Sequence, residues 1–289
     1  MGQTSLSRAA CAAGLHEVGG RPSFLHYLAD TYRLNGFIRI YARAREATGN
    51  RRTRLGFAWN VLDPALTMVV YWILFGLLLQ ARASVPNYLG FLAIGVFVFA
   101  LVRRSLQMGA RSVSGNQGFI RSLTMPAAVF PVTAVVQQLR AFLLSVPVLL
   151  VILIATGERP SITWLLFPVV IVVMIPFCVG AALLLGRWVH GAPDVGGILP
   201  LVLRLWGLLS GVMIPVTDRL AKIDAPPWVT GLVEVNPPTV FLTLARGTLL
   251  SADVVPGIDT WGLAAAWSAG LLIVGSVVFW RGEGGYARD

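Results

Sequence analysis

Residues 164–189 read WLLFPVVIVVMIPFCVGAALLLGRWV, an apolar run carrying a single charge, Arg187. A helix of ~20 such residues crosses a hydrocarbon core ~30 Å thick. Working outward from this run, five more apolar stretches approach the same length: Phe57 or Pro64 to Leu79, Tyr88 to Val102, Ala128 to Ala155, Ile198 to Val216, and Trp261 to Trp280. The last has a tryptophan at each end, where membrane interfaces fall. The pattern predicts an all-α integral membrane protein with six transmembrane helices.

Composition agrees. The chain has 289 residues, 56% hydrophobic and only 12% charged, with mean hydropathy +0.74; a soluble domain carries about twice that charge fraction. The net charge of +10 is almost wholly arginine, since Lys222 is the one lysine. These arginines sit between apolar spans, which reads as topology and anionic headgroups rather than nucleic acid. Cys11 lies in a polar stretch and Cys178 in an apolar one, so no structural disulfide is expected. Met1 to Pro22 has no apolar core of a secretory signal or lipoprotein leader.

Residues 1–22 are expected to form a flexible cytoplasmic tail. Residues 23–56 form an amphipathic interface helix and connector, and residues 57–289 the membrane domain. In the helix, Leu34, Phe37, Ile38 and Tyr41 recur at helical spacing, with Arg33, Arg39, Arg43 and Arg45 interleaved. Such a helix lies in the interface with its apolar face in lipid; the alternative is a helix docked on a partner. Arginines crowd the segment before the first span and recur as Arg103, Arg104, Arg111 and Arg121 between spans two and three. In the segment before the last span, Asp218, Asp224, Glu234, Asp253 and Asp259 outnumber the cations. Both termini are therefore expected in the cytoplasm, which requires an even number of crossings. Residues 217–259 are broken by Pro226-Pro227-Trp228 and Asn236-Pro237-Pro238. Val240 to Leu250 is too short to cross, so short re-entrant gate helices are expected here.

The chain shows no catalytic constellation. His16, His26 and His190 are far apart, without metal-ligand spacing. No phosphate-binding glycine loop precedes Lys222, so any ATP is bound by another subunit. Arg204 falls inside the fifth span and Gln137, Gln138 and Arg140 early in the third; at such depth a charge must face protein, water or an anion. Aromatics are dense at Trp59, Tyr71, Trp72, Phe75, Tyr88, Phe91, Phe97, Phe99 and Trp206. Sugar rings stack on aromatic faces, so such a lining suits a glycan path.

An ordered set of motifs then narrows the reading. Arg51-Arg52-Thr53-Arg54-Leu55-Gly56-Phe57-Ala58-Trp59 is followed by Leu62-Asp63-Pro64 and by Tyr71-Trp72-Ile73-Leu74-Phe75-Gly76. This opening resembles that of ABC-2 type permeases of the polysaccharide and teichoic acid export class (Wzm/TagG), with Asn50 in place of a tyrosine and Thr53 in place of a serine. Asn116 to Pro126, Asp194, Leu209-Ser210-Gly211-Val212-Met213-Ile214-Pro215 and Asn236-Pro237 with Arg246 are similar to later motifs of that class, in the right order. Gly211 replaces a proline there, and the arginine usual before Asp194 is absent.

The resemblance implies an ABC-2 (type V) exporter fold in the bacterial inner membrane. It implies a homodimer of the permease with two copies of a separate ABC ATPase, where ATP and Mg are bound; this chain itself holds no cofactor and catalyses nothing. Arg111, Asn116, Phe119, Ile120 and Arg121 correspond to the helix that couples to the ATPase. The implied cargo is a polyprenyl-diphosphate-linked glycan, such as a cell-wall galactan, an O-antigen-like chain or a teichoic acid. Arg51, Arg52 and Arg54 stand where guanidinium forks can hold the diphosphate, or they serve topology alone. Trp59, Tyr71, Trp72, Phe75, Phe97, Arg204 and Trp206 are candidates for the path, and Pro226, Pro227, Trp228, Asn236 and Pro237 for the outer gate. A small amphipathic drug or lipid is the alternative cargo. A polyprenyl-sugar membrane enzyme is the third reading, without the convergent carboxylates it requires.

Overall fold

The computed structural model describes residues 23–51, 56–78, 85–122, 125–216, 220, 226–251 and 255–286, and among these there is no strand. In chain order the helices are α1 (Phe24–Arg33), α2 (Asn35–Arg51), α3 (Trp59–Tyr71), α4 (Tyr88–Ala110), α5 (Gln117–Ser122), α6 (Val129–Ala155), α7 (Phe167–Gly191), α8 (Pro193–Leu209), α9 (Pro227–Val235), α10 (Pro237–Leu249), α11 (Ile258–Arg281) and α12 (Glu283–Tyr286). A wider π-helical segment, Trp72–Leu78, extends α3. Proline sits in the first turn of α7, α8, α9 and α10, where its missing N–H costs nothing and its fixed φ favours the helix.

Among the described residues, five helical segments are long and apolar enough to cross a membrane: Trp59–Leu78, Tyr88–Ala110, Val129–Ala155, Ile162–Gly191 and Ile258–Arg281. The stretch expected as a crossing at Ile198–Val216 is instead the 17-residue helix α8, Pro193–Leu209, which is about 25 Å long at 1.5 Å per residue. It ends in a turn where Gly211 has φ +75°, a left-handed conformation that glycine adopts without steric cost.

Helix α4 is the hub, buried along most of its length. It packs against α3, α6, α7, α8 and α10, while α7 pairs most extensively with α11. Small residues permit these approaches. A Cβ added at Gly180 of α7 would collide with the Leu271 carbonyl, and one at Gly275 of α11 with the Gly180 carbonyl. One at Gly109 of α4 would strike Ala182. Ser268 also donates to the Val173 carbonyl across the α7–α11 seam (2.6 Å).

The interface segment is two helices rather than one, parted at Leu34. Its apolar face is the one the periodicity marks, but it does not turn to lipid. Ile38 and Ala42 are buried, Tyr41 meets Phe119 of α5 and Phe130 of α6 edge-on, and Glu46 pairs with Arg140 of α6 (3.3 Å).

Because the α7–α11 contact is backbone against backbone, Gly180→Leu must separate the helices. The expected loss is about 1–3 kcal/mol, the usual penalty of overpacking, read as an earlier thermal unfolding transition in detergent. Gly270, around which a Cβ meets nothing within 4 Å, should tolerate alanine.

Candidate functional site

A cleft of about 800 Å³ opens between α3, α4 and α8. Tyr71 and Phe99 line it, and Arg103, Gln107, Arg111, Arg204 and Asp63 supply its polar groups. Asp63 and Pro64 begin the wall on α3, and Asp63 pairs with Arg104 (2.5 Å) and Arg103 (3.8 Å) of α4. Among the lining residues three guanidiniums thus face one carboxylate, which favours anionic ligands. Arg111 also donates to the Gly196 carbonyl of α8 (3.0 Å), tying the end of α4 to the start of α8.

Of the aromatics proposed for a path, Tyr71 lines this cleft together with Arg204. Phe75 stacks edge-on against Tyr71 (6.1 Å), and Trp72 packs partly buried beside Gly76. Phe97 points the other way into the core, beside Gln138 and Phe142 of α6. Trp59 is exposed away from the cleft. Trp206 donates its indole N–H to Asn236 (2.7 Å). The side chains of Arg51, Arg52, Arg54 and Arg121 lie outside the described residues.

At the far end of α8 a polar clasp forms. The Asn236 side chain, between α9 and α10, accepts from Trp206 and donates to Ser210 Oγ (2.8 Å) and Thr239 Oγ1 (3.1 Å). Pro226 precedes α9, while Pro227 and Pro237 open α9 and α10; Trp228 is exposed. Arg246 of α10, only 7% exposed, donates to the carbonyls of Gly211 (2.9 Å), Val212 (3.1 Å) and Phe91 (3.4 Å) and lies over the Phe91 ring. It closes the C-terminal turn of α8, where cations are favoured and bare carbonyls need donors. Glu158, 5% exposed, accepts from Asn87 (2.8 Å), Ser251 N (2.8 Å) and Ser251 Oγ (2.7 Å). Burial alone would raise its pKa; those hydrogen bonds outweigh it and hold the carboxyl below its ordinary value.

At the opposite face, the segment after α4 docks on the interface helices. Asn116 accepts from the Tyr41 hydroxyl (2.6 Å) and donates to the Ser112 carbonyl (2.6 Å). Ile120 is buried, while Phe119 stands 47% exposed. Glu283, just past α11, accepts from the Tyr27 hydroxyl (2.7 Å) and from Ala127 N (2.8 Å) at the entry to α6. Burial raises the Glu283 pKa above the carboxylate norm and raises that of Tyr27 as well. Tyr27, Glu283 and Glu158 carried no motif in sequence, and Arg246 appeared only as a motif match. Among the described residues no His/Cys/Asp/Glu cluster can hold a metal.

A multi-pass membrane protein with a basic cleft between helices and a separately docked polar segment has the geometry of a transporter subunit. A profile of the ABC-2 type transporter family matches residues 42–250, in agreement with the ordered motifs. The chain belongs to the ABC-2 type transporter family. It is 28% identical over 255 residues to the O-antigen export system permease protein RfbA of Myxococcus xanthus, covering 88% of this chain and 95% of that one. The RfbA permease of Klebsiella pneumoniae is 28% identical over 135 residues, about half of each chain (46% and 51%). The capsule polysaccharide export inner-membrane protein CtrC of Neisseria meningitidis serogroup B (strain ATCC BAA-335 / MC58) is 21% identical over 219 residues, 73% of this chain and 77% of that one.

Removing the Arg246 guanidinium with Arg246→Met leaves the Gly211 and Val212 carbonyls without their buried donor. The expected cost is ~2–3 kcal/mol, seen as lower thermal stability and faster proteolysis around residue 211. At the other face, Glu283 has a folded pKa above its ordinary 4.5. Its contribution to stability is fully present below that value and fades as pH rises through the folded pKa. Thermal stability of the wild type should therefore fall across that window, and Glu283→Gln should flatten this part of the profile.

Proposed function

We propose that this chain is the permease subunit of an ATP-driven exporter that moves a polysaccharide carried on polyprenyl diphosphate across a bacterial inner membrane. The observation that carries the reading is the cleft between α3, α4 and α8, with guanidiniums at Arg103, Arg111 and Arg204 and aromatic groups at Tyr71 and Phe99. Guanidinium forks suit a diphosphate, and aromatic faces suit sliding sugar rings. The names of the relatives, O-antigen and capsule polysaccharide export proteins, support the cargo class.

In this reading α8 and its terminal turn complete a sixth crossing. Near its start Gly196 accepts from Arg111 at one end of α4, and in the turn after its end Met213 accepts from Tyr88 at the other, so it runs along most of the depth of a spanning helix. Both termini lie in the cytoplasm with the arginine-rich face, and α9 and α10 serve as a gate at the outer face. Two permease copies assemble through the exposed sides of α3 with its extension and α8, where Val69, Ile73, Leu201 and Leu205 are exposed outside the cleft lining. Arg51, Arg52 and Arg54 receive the diphosphate before it enters the cleft. A separate ATPase, one copy per permease, binds ATP and Mg and presses on α5 around the exposed Phe119. The Tyr41–Asn116 and Arg111–Gly196 contacts then pass that motion to α2 and α8, and the cleft opens by rocking of α8.

Purification in mild detergent should recover a Walker-type ATPase in equal amount. In liposomes, a lipid-linked glycan should stimulate hydrolysis by that complex. Arg103→Glu with Arg204→Glu should cut this stimulation at least about tenfold, as expected when charge-assisted hydrogen bonds worth ~1.5–3 kcal/mol are lost, with basal hydrolysis retained. Reproducible isolation without an ATPase would overturn the exporter reading, and undiminished stimulation in the double variant would remove the cleft from the path.

A further inference from the structure

A second cavity, of about 380 Å³, lies between the interface helices and the membrane bundle and shares no lining residue with the cleft. Its inner wall is Val132 and Val136 of α6, Val179 and Leu183 of α7, and Leu272 and Phe279 of α11. Its mouth is polar, framed by Thr31 of α1 and by Asn35 and Arg39 of α2. Asn35 and Arg39 are exposed and stand one helical turn apart on the same face. Among the described residues Arg39 takes part in no ion pair.

We propose that this cavity is a binding site for one anionic phospholipid, with an acyl chain against α6, α7 and α11 and its phosphate held by Arg39 and Asn35. The size falls in the ~300–1,000 Å³ range of small-molecule sites. A cavity walled by valine, leucine and phenylalanine does not hold water, and in a bilayer the apolar material at hand is an acyl chain. The charge at the mouth selects the headgroup. Arg39 offers a planar fork that matches phosphate oxygens, and Arg43, also outside any ion pair among the described residues, lies one turn further along α2. The positive potential of such a segment attracts anionic lipid over zwitterionic lipid. A lipid seated here would wedge α1 and α2 against the bundle, filling the gap behind the Tyr27–Glu283 contact. The proposal rests on the membrane reading but on neither the cargo nor the ATPase.

The full-length chain in neutral detergent would be titrated with phosphatidylglycerol and with phosphatidylcholine of identical acyl chains. Thermal unfolding and native mass spectrometry provide the two readouts. Phosphatidylglycerol should raise the unfolding temperature more than phosphatidylcholine and should survive as one retained lipid per chain. Arg39→Gln should weaken the preference for phosphatidylglycerol roughly fivefold, the ~1 kcal/mol that one arginine contributes near an anionic surface, and Arg39→Lys should keep part of it. Val136→Phe, which fills the cavity and leaves the mouth unchanged, should lose the retained lipid of either kind. Equal shifts with both lipids, an undiminished preference in Arg39→Gln, or the same shift from glycerol phosphate without acyl chains would each overturn the proposal. Loss of glycan-stimulated hydrolysis with lipid retention intact would count against the exporter reading alone.

Discussion

Inside hydrocarbon, two apolar helices gain no hydrophobic free energy by leaving lipid for one another, so they stay together only through close dispersion contact and shared hydrogen bonds. Gly180 and Gly275 supply that contact between α7 and α11, and Gly109 with Ala182 supplies it between α4 and α7. Any side chain at these points would hold the backbones apart. With α4, α7 and α11 locked, the rest of the chain has a fixed frame. Helix α10, too short to span, is buried against α4 and α7, and α12 folds back beneath α11, where Tyr286 packs on Phe279.

Polar contacts then fasten the frame at its two faces, where water no longer competes fully with protein donors and acceptors. At one face Glu158 joins the loop after α6 to the start of α4 and the end of α10, while Asn236 and Arg246 join α10 to α8. At the other, Glu283 and Tyr27 join α1, α6 and α12. The basic cleft is bordered by α3 and α8, which are less enclosed. In α3 only Pro64 and Met68 are buried, and in α8 the row Ile198, Leu201, Val202, Leu205 and Leu209 is exposed. Rigidity and openness are thus segregated: a packed half built on glycine seams and an open half that carries the charged groups.

The five long helices were legible from apolar length, since nothing but a crossing explains such runs. The end of α8 was not. The apolar pattern continues through Val212, Met213 and Ile214 to Val216, and it conceals the turn that Gly211 makes at φ +75°. The buried stripe of α1 and α2 was legible from its period, yet a period cannot say what covers it; α5 and α6 do. Glu158 carries no local signal, because its partners Asn87 and Ser251 are remote from it in sequence. Tyr27 and Glu283 lie 256 residues apart, and only the fold brings them together. On α4 the path candidate Phe97 faces the core, while Phe99, not among the candidates, lines the cleft, a distinction set by which neighbours surround α4.

Helix α8 is the element on which these constraints converge. Its first turn is held by Arg111, next to the segment that docks on α2, and its last turn is held by Arg246 and Asn236, which belong to α10 and the corner before it. Between those ends its contacts with α4 include Gly207, which Phe99 crowds so closely that a Cβ would collide, and much of its remaining surface faces outward. Pro200 interrupts the internal hydrogen bonding of α8, and the carbonyl four residues before it, Gly196, accepts from Arg111 instead. In the proposed transport cycle a push at the α5 side would travel along α8 toward the α9–α10 corner, past Arg204 and the cleft. Its two ends are thus fastened to different faces of the protein, while its exposed row lies outside the glycine seams.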